Sequence, residues 1–268
     1  MKKEALMSCA RNIILSLCLV VSLFSGAAMG GSLPDQAQLS AEIMLFNTET
    51  GDFSASGNVV IKADGLTAHA PQGRGNIQSK EVHFWDGITL YGDWRGDWLD
   101  LSAETVSFFF GQTPTYIAEG MVNGLLGNLH LDVDKFYMKG TEFSAVNVHR
   151  IEDREQQIAL SAHRVDGTIA GGILTTFTAQ GRVWLDGQPR AGGGAVDIRG
   201  DKAVYSVERG SVVVSGNVHA TQQGRVLTAG SIVYFPDANR IDAYGDTYGG
   251  PASITIDIAR ERQQEDQP

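Results

Sequence analysis

The sequence predicts an all-β fold, a sandwich, a barrel or an open stacked β-sheet solenoid, preceded by a signal peptide. Three observations predict it. Beyond the first thirty residues the apolar residues come in short alternating segments. Gly, Asp and Asn interrupt these segments about every ten residues, the spacing of strands and tight turns. No later stretch keeps a helical period for three clean turns, the charged run Ile258 to Gln264 being the one candidate.

The chain opens with Lys2 and Lys3, continues through an apolar run from Ile13 to Phe24, and turns small and flexible at Ser25 to Gly30. This is the three-part pattern of a secretory signal peptide. An apolar core of about a dozen residues is short of the roughly twenty that a membrane-spanning helix needs, so cleavage is expected over anchoring. Cys9 and Cys18 both lie in this segment, and the bulky Leu17 before Cys18 argues against a lipoprotein site. The exported chain then has no disulfide, and its stability must come from its core.

The whole chain carries a formal charge of -10; the segment 1–30 contributes +2, from Lys2, Lys3 and Arg11 against Glu4, which leaves -12. Nucleic acid is excluded as a partner on that balance, and no cluster of Lys or Arg remains to attract an anionic membrane.

After a polar link from Gly31 to Gln38, the residues Phe53 to Lys62 alternate: Phe53, Ala55, Val59 and Ile61 on one face, Ser54, Ser56, Asn58 and Lys62 on the other. Ser211 to Ala220 repeats the scheme with Val212, Val214 and Val218 on the apolar face, while Val213 interrupts the polar one. Prolines 71, 114, 189, 236 and 251 stand beside turn residues. The expected organisation is a signal peptide at 1–30, a first β unit at 31–150 that carries an aromatic insertion, a second at 151–258 and a polar tail at 259–268.

The two alternating strands belong to a longer internal repeat. Gly51 aligns with Gly210, Phe46 with Tyr205, and Gly57-Asn58-Val59 with Gly216-Asn217-Val218 at one offset, and Thr67-Ala68 meets Thr228-Ala229 after a two-residue insertion. A looser middle copy runs from Leu101-Ser-Ala-Glu through Tyr116-Ile-Ala-Glu-Gly-Met-Val. Units of this size bury their apolar face only by stacking on neighbours.

Ser40-Ala41-Glu42, Ala55-Ser-Gly-Asn-Val-Val-Ile-Lys-Ala-Asp-Gly, Val214-Ser-Gly-Asn-Val-His-Ala, Leu227-Thr-Ala-Gly-Ser-Ile-Val-Tyr-Phe and Ile241-Asp-Ala-Tyr-Gly resemble the OstA-like repeats of the LptA family, to which LptC and the N-terminal domain of LptD are related. The match covers roughly 40–70 and 200–245 and is thin between them. The chain departs from the family in its greater length and in the aromatic segment from Phe84 to Trp98. The resemblance implies a periplasmic, non-catalytic β-jellyroll that passes lipopolysaccharide or lipid A toward the outer membrane. Its implied partners are related β-jellyroll Lpt-type proteins at the inner and outer membranes, or further copies of itself joined head to tail. On this reading Phe53, Ala55, Val59, Ile61, Val212, Val214 and Val218 line a lipid groove, and the strands 43–46 and 254–258 are the pairing edges. Read from the residues alone, the same seven could fill a closed core. An LptC-like protein held by its N-terminal segment is the alternative within the family.

No cofactor, catalytic or metal site is expected. His69, His83, His130, His149, His163 and His219 are scattered, and Asp132 and Asp134 lack a Gly-rich ligand loop. Arg95-Gly96-Asp97 is a common chance tripeptide. Trp85, Tyr91, Trp94 and Trp98 could stack on sugar rings in a surface solenoid that binds polysaccharide, or form a cluster between β units. A glycan-cleaving version would need facing carboxylates among Asp86, Asp93, Asp97 and Asp100.

Overall fold

The computed structural model describes residues 19–21, 37–63, 65–94, 97–110, 113–155, 157–170, 173–187, 194–238, 240–245 and 250–256. The rest of the expected signal segment, Arg95-Gly96 and the tail from 257 lie outside the described residues. The strands are β1 (Leu19–Val21), β2 (Ala37–Ser40), β3 (Ile43–Phe46), β4 (Asp52–Ala63), β5 (Leu66–Asn76), β6 (Glu81–Trp85), β7 (Ile88–Trp94), β8 (Asp97–Ala103), β9 (Thr105–Phe109) and β10 (Thr115–Leu126). They continue with β11 (Leu129–Lys139), β12 (Glu142–Asp153), β13 (Ile158–Ala170), β14 (Ile173–Gly187), β15 (Val196–Ser206), β16 (Ser211–Gln222), β17 (Arg225–Phe235), β18 (Arg240–Tyr244) and β19 (Ser253–Ile256).

Every ladder is antiparallel, and from β4 to β17 each rung hydrogen-bonds to the next. Four rungs are broken in two. β2 and β3 both pair with β4, β6 and β7 both with β5, β8 and β9 both with β10, and β18 and β19 both with β17. The long strands bend at the same place without breaking. At each bend the register slips: Ser56 faces Gln72 but Val59 faces Ala70, so β4 spends three residues where β5 spends two. Such a bulge frees one residue from the ladder and turns the strand.

The bends divide the sheet lengthwise into two halves. One half, here called A, holds segments such as Val59–Ala63, Ile88–Trp94 and Val218–Gln222; the other, B, holds segments such as Asp52–Ser56, Glu81–Trp85 and Ser211–Ser215. The apolar residues of both halves point into the space between them, and one hydrophobic core runs from Phe53 to Tyr234. This is the all-β roll that the alternation predicts.

The bend chemistry explains the repeat in the sequence. Gly216 and Asn217 are both left-handed, with φ of +79° and +48°, and Gly57-Asn58, Gly120-Met121 and Gly181-Arg182 repeat that pair. Left-handed backbone suits Gly and Asn better than other residues. Asp86-Gly87 and Asn147 hold left-handed residues at the corresponding bends, so the feature recurs on every second rung, in the strands that run from B to A. Opposite it stands a polar residue of the rung before. Asn58 Nδ2 donates to Glu42 Oε1 at 2.7 Å, and Asn217 Nδ2 donates to Asp201 Oδ2 at 3.0 Å. Pro71 occupies the bend of β5, where the ladder with β4 skips a residue and no N–H is needed.

Two expectations meet a different arrangement. The segment from Phe84 to Trp98, read from sequence as an insertion, supplies parts of β6, β7 and β8, which are rungs like the others. The expected division between residues 150 and 151 falls inside β12, and the sheet is continuous through it. Trp85, Tyr91 and Trp98 stand on the outer face of regular strands, so they interrupt the sequence pattern without interrupting the ladder, and at 150–151 the ladders of β12 with β11 and β13 run on unbroken by any linker.

Candidate functional site

The space between the halves is lined by apolar side chains from both. Half A lines it with aliphatic side chains, among them Val59, Leu66, Leu90, Leu131, Leu185 and Ile198, all buried. Half B lines it with rings. Following the ladders from strand to strand, Phe53, Gly75, Val82, Phe108, Tyr116, Met138, Phe143, Gly167, Phe177, Tyr205, Val212 and Tyr234 are in register as one row. The connection from Val212 to Tyr205 and on to Phe177 is typical of it. Phe108 and Tyr116 meet edge to face at 5.4 Å, Phe136 and Phe143 stack at 5.9 Å, and Phe177 and Tyr205 stack at 5.3 Å. Both glycines in the row sit under a ring: a Cβ on Gly75 would lie 2.7 Å from the Phe53 ring, and one on Gly167 would lie 2.7 Å from that of Phe143. A row of this kind contributes ring contacts beyond simple area burial.

Packing between the halves leaves small voids. Leu66, Leu90 and Leu99 of half A and Val106, Phe108 and Phe136 of half B enclose an apolar void of ≈ 50 Å³. A second, of ≈ 20 Å³, lies among Phe143, Leu160, Val165, Phe177 and Tyr205. At the N-terminal end of half B a recess of ≈ 610 Å³ lies mainly against the outer face, bordered by Leu45, Ser54, Arg74, Glu81 and His83, and it reaches Phe46 and Phe53 of the inner face.

The seven groove residues predicted from the sequence all lie on the inner face. Val59, Val212, Val214 and Val218 are deeply buried, Phe53 and Ala55 are buried nearer the N-terminal recess, and Ile61 is half-buried against the core. Sequence reasoning missed the aromatic row of half B. Its signal was present, an aromatic residue near the outer end of most B segments, but it spans about ten strands and has no local motif.

Both ends of the sheet are edges. Among the described residues β3 pairs with β4 alone, and β18 and β19 pair with β17 alone. β3 is apolar on both faces: Ile43 and Leu45 lie opposite Ser56 and Ser54 on the outer face, Met44 and Phe46 opposite Ala55 and Phe53 on the inner. Leu45 is 68% exposed and Ile254 of β19 is 58% exposed. An apolar strand with a free edge is the feature that natural sheets normally blunt with charge or proline.

The outer face is polar and locally paired. Arg150 with Glu152, Arg164 with Asp166, Arg199 with Asp197 and Arg240 with Asp242 pair two residues apart on one strand, at 2.7 to 3.2 Å. His149 Nε2 and Asn147 Nδ2 both reach Asp134, each at 2.9 Å. Of the aromatics considered for sugar stacking, Trp85 stands apart from Tyr91 and Trp98. Trp85 belongs to half B and lies under the Arg74 guanidinium at 5.8 Å, whereas Tyr91 and Trp98 are on half A. Tyr91 stacks on His69 at 5.7 Å, Trp98 is 59% exposed, and the side chain of Trp94 is outside the described set. Among the described residues no group of three or more His, Cys, Asp or Glu could hold a metal ion, and no helix is long and apolar enough to cross a membrane.

No protein-family model matches the chain, and no curated protein does. The chain is similar to a solved periplasmic protein. That structure is LptH of Pseudomonas aeruginosa, the LptA-homologous component of a lipopolysaccharide transport device; the alignment covers 82% of this chain and 94% of that one, at 12% identity and a TM-score of 0.28.

Proposed function

We propose that this protein is a non-catalytic periplasmic lipid carrier that holds acyl chains between the two halves of its folded sheet, as a link in lipopolysaccharide transport to the outer membrane. The observation that carries the reading is the apolar interior, lined by aliphatic residues on one side and rings on the other and continuous along the sheet from Phe53 to Tyr234. Each methylene withdrawn from water contributes about 0.8 kcal/mol, so a chain of a dozen carbons gains on the order of 10 kcal/mol before ordering costs. An interior of this kind therefore needs no cationic site to retain an amphiphile, which accords with the net charge of -10. The OstA-like repeats in the sequence point to lipopolysaccharide or lipid A as the lipid.

The voids are far smaller than an acyl chain, so loading requires halves A and B to part on the side away from the bends. The bends act as the hinge line, because the ladders are already interrupted there. The free edges of β3 and β19, with Ile43, Leu45 and Ile254 exposed, suit strand addition from a related β-jellyroll protein or a second copy, which would extend one interior across the periplasm.

The test is native mass spectrometry of protein purified gently from its own envelope. Bound lipopolysaccharide, lipid A or a fragment of either is the expected result. A protein that carries no lipid but retains glycans would overturn the reading in favour of polysaccharide binding at the Tyr91 and Trp98 face.

A further inference from the structure

Tyr234 is fully buried, and its hydroxyl oxygen has no hydrogen-bond partner, the one buried side-chain N or O atom of that description among the described residues. It stands in half B between Val212 and Ile241, one residue from the end of β17. Its ring crosses the interior to half A, where Gly187 ends β14: a Cβ on that residue would lie 3.0 Å from the hydroxyl oxygen. Gly187 thus leaves the room into which the hydroxyl projects.

This position is the margin of the interior farthest from the bends, where the halves must part for a ligand to enter. An amphiphile seated with its chain inside and its head in water places its first polar atoms, the carbonyl of an ester or amide, at that margin. Burying a hydroxyl unsatisfied is costly, and a phenylalanine would fill the same space without the cost. Burial and the nearby carboxylates of Asp186 and Asp237 push the phenol up to about 12, so it keeps its proton and remains a donor.

We propose that the Tyr234 hydroxyl is the donor that recognises the ester or amide carbonyl of the bound acyl group, a specificity element of the interior which rests on the lipid-carrier reading above. The hydroxyl is unpaired because its acceptor arrives with the ligand.

The experiment compares two soluble single-chain probes below their micellar concentrations, lauroylcholine, which has an ester carbonyl, and tetradecyltrimethylammonium, which has the same cationic head and no carbonyl. Binding is measured by calorimetry to the full chain and to Tyr234→Phe, alongside thermal unfolding of each without ligand. The expected result is a preference of about fivefold for the ester in the natural protein, the worth of one hydrogen bond. Tyr234→Phe should abolish the preference while leaving the unfolding temperature unchanged or higher. Equal preference in both proteins, or a variant that loses both probes together, overturns the assignment. Failure of the natural protein to bind either probe overturns the lipid-carrier reading itself.

Discussion

The side-chain amide of Asn217 donates to Asp201 Oδ2 across the bend at 3.0 Å, and Gly216 beside it leaves no room for a Cβ, which would stand 2.5 Å from the same oxygen. Gly216→Ala must therefore bear both a left-handed alanine and a displaced Asp201. The expected cost is about 2 kcal/mol or more. Gly210→Ala is the control, left-handed at φ +56° with open space around it, and should cost about 1 kcal/mol. Urea unfolding of the two variants measures the difference; equal midpoints would show that the contact with Asp201 contributes nothing.

Val214 has no exposed surface and faces the centre of the core. Val214→Ala should cost about 2 kcal/mol by lost burial and the cavity it leaves. Val214→Asp should fail to fold, since its carboxylate would be buried without a partner. Circular dichroism with thermal melting checks both, and a folded, stable aspartate variant would mean that the halves are already apart.

The void beside Ala118 tests whether spare interior space is used by ligand. Ala118→Val adds two methyl groups where ≈ 50 Å³ is empty, and should leave stability unchanged or raise it by about 1 kcal/mol. If acyl chains pass this point, the same variant should retain less lipid on purification, read as bound mass per protein.

His149 and Asp134 form the ion pair with the clearest pH signature. The hydrogen bond to Asp134 raises His149 above its ordinary 6.5, and the hydrogen bonds from His149 and Asn147 lower Asp134 below its ordinary 3.8. Stability from the raised histidine is complete below pH 6.5 and is lost as pH rises through its folded value. Stability from the lowered aspartate is complete above pH 3.8 and is lost as pH falls through its folded value. The pair therefore contributes most between those two limits. NMR titration should find His149 above 6.5, and Asp134→Asn should bring it back down; no change on that substitution would remove the pair from the account.

The free edges predict association. Light scattering over a concentration series should detect growth of end-to-end species, and Leu45→Asp with Ile254→Asp should suppress it without loss of fold, because both side chains are exposed. A monomer throughout would exclude self-assembly and leave pairing with a related protein as the use of the edges.

Alternation at Phe53 to Lys62 and Ser211 to Ala220 was enough to predict strands and to put Val59 and Val214 on the inner face, because period two is a local property of backbone geometry. The Ser-Gly-Asn-Val repeat was legible at 56–59 and 215–218 and loosely at 118–122. At Asp86-Gly87, Asn147 and Gly181-Arg182 it was not, because the bend demands only left-handed backbone, which residues other than Gly-Asn can adopt when the ladder holds them there.

The edge at Ile43 to Phe46 was also legible, since four consecutive apolar residues suit a strand with little to cover it. The pairing of halves A and B was not. Which ring faces which aliphatic residue depends on register carried across many rungs, and no window of the chain contains both members of a contact such as that between Tyr234 and Gly187. Local pattern thus accounts for the strands, their inner face and the Gly-Asn bends; the enclosed interior, its aromatic row and the unpaired Tyr234 hydroxyl come from long-range packing of strands distant in sequence.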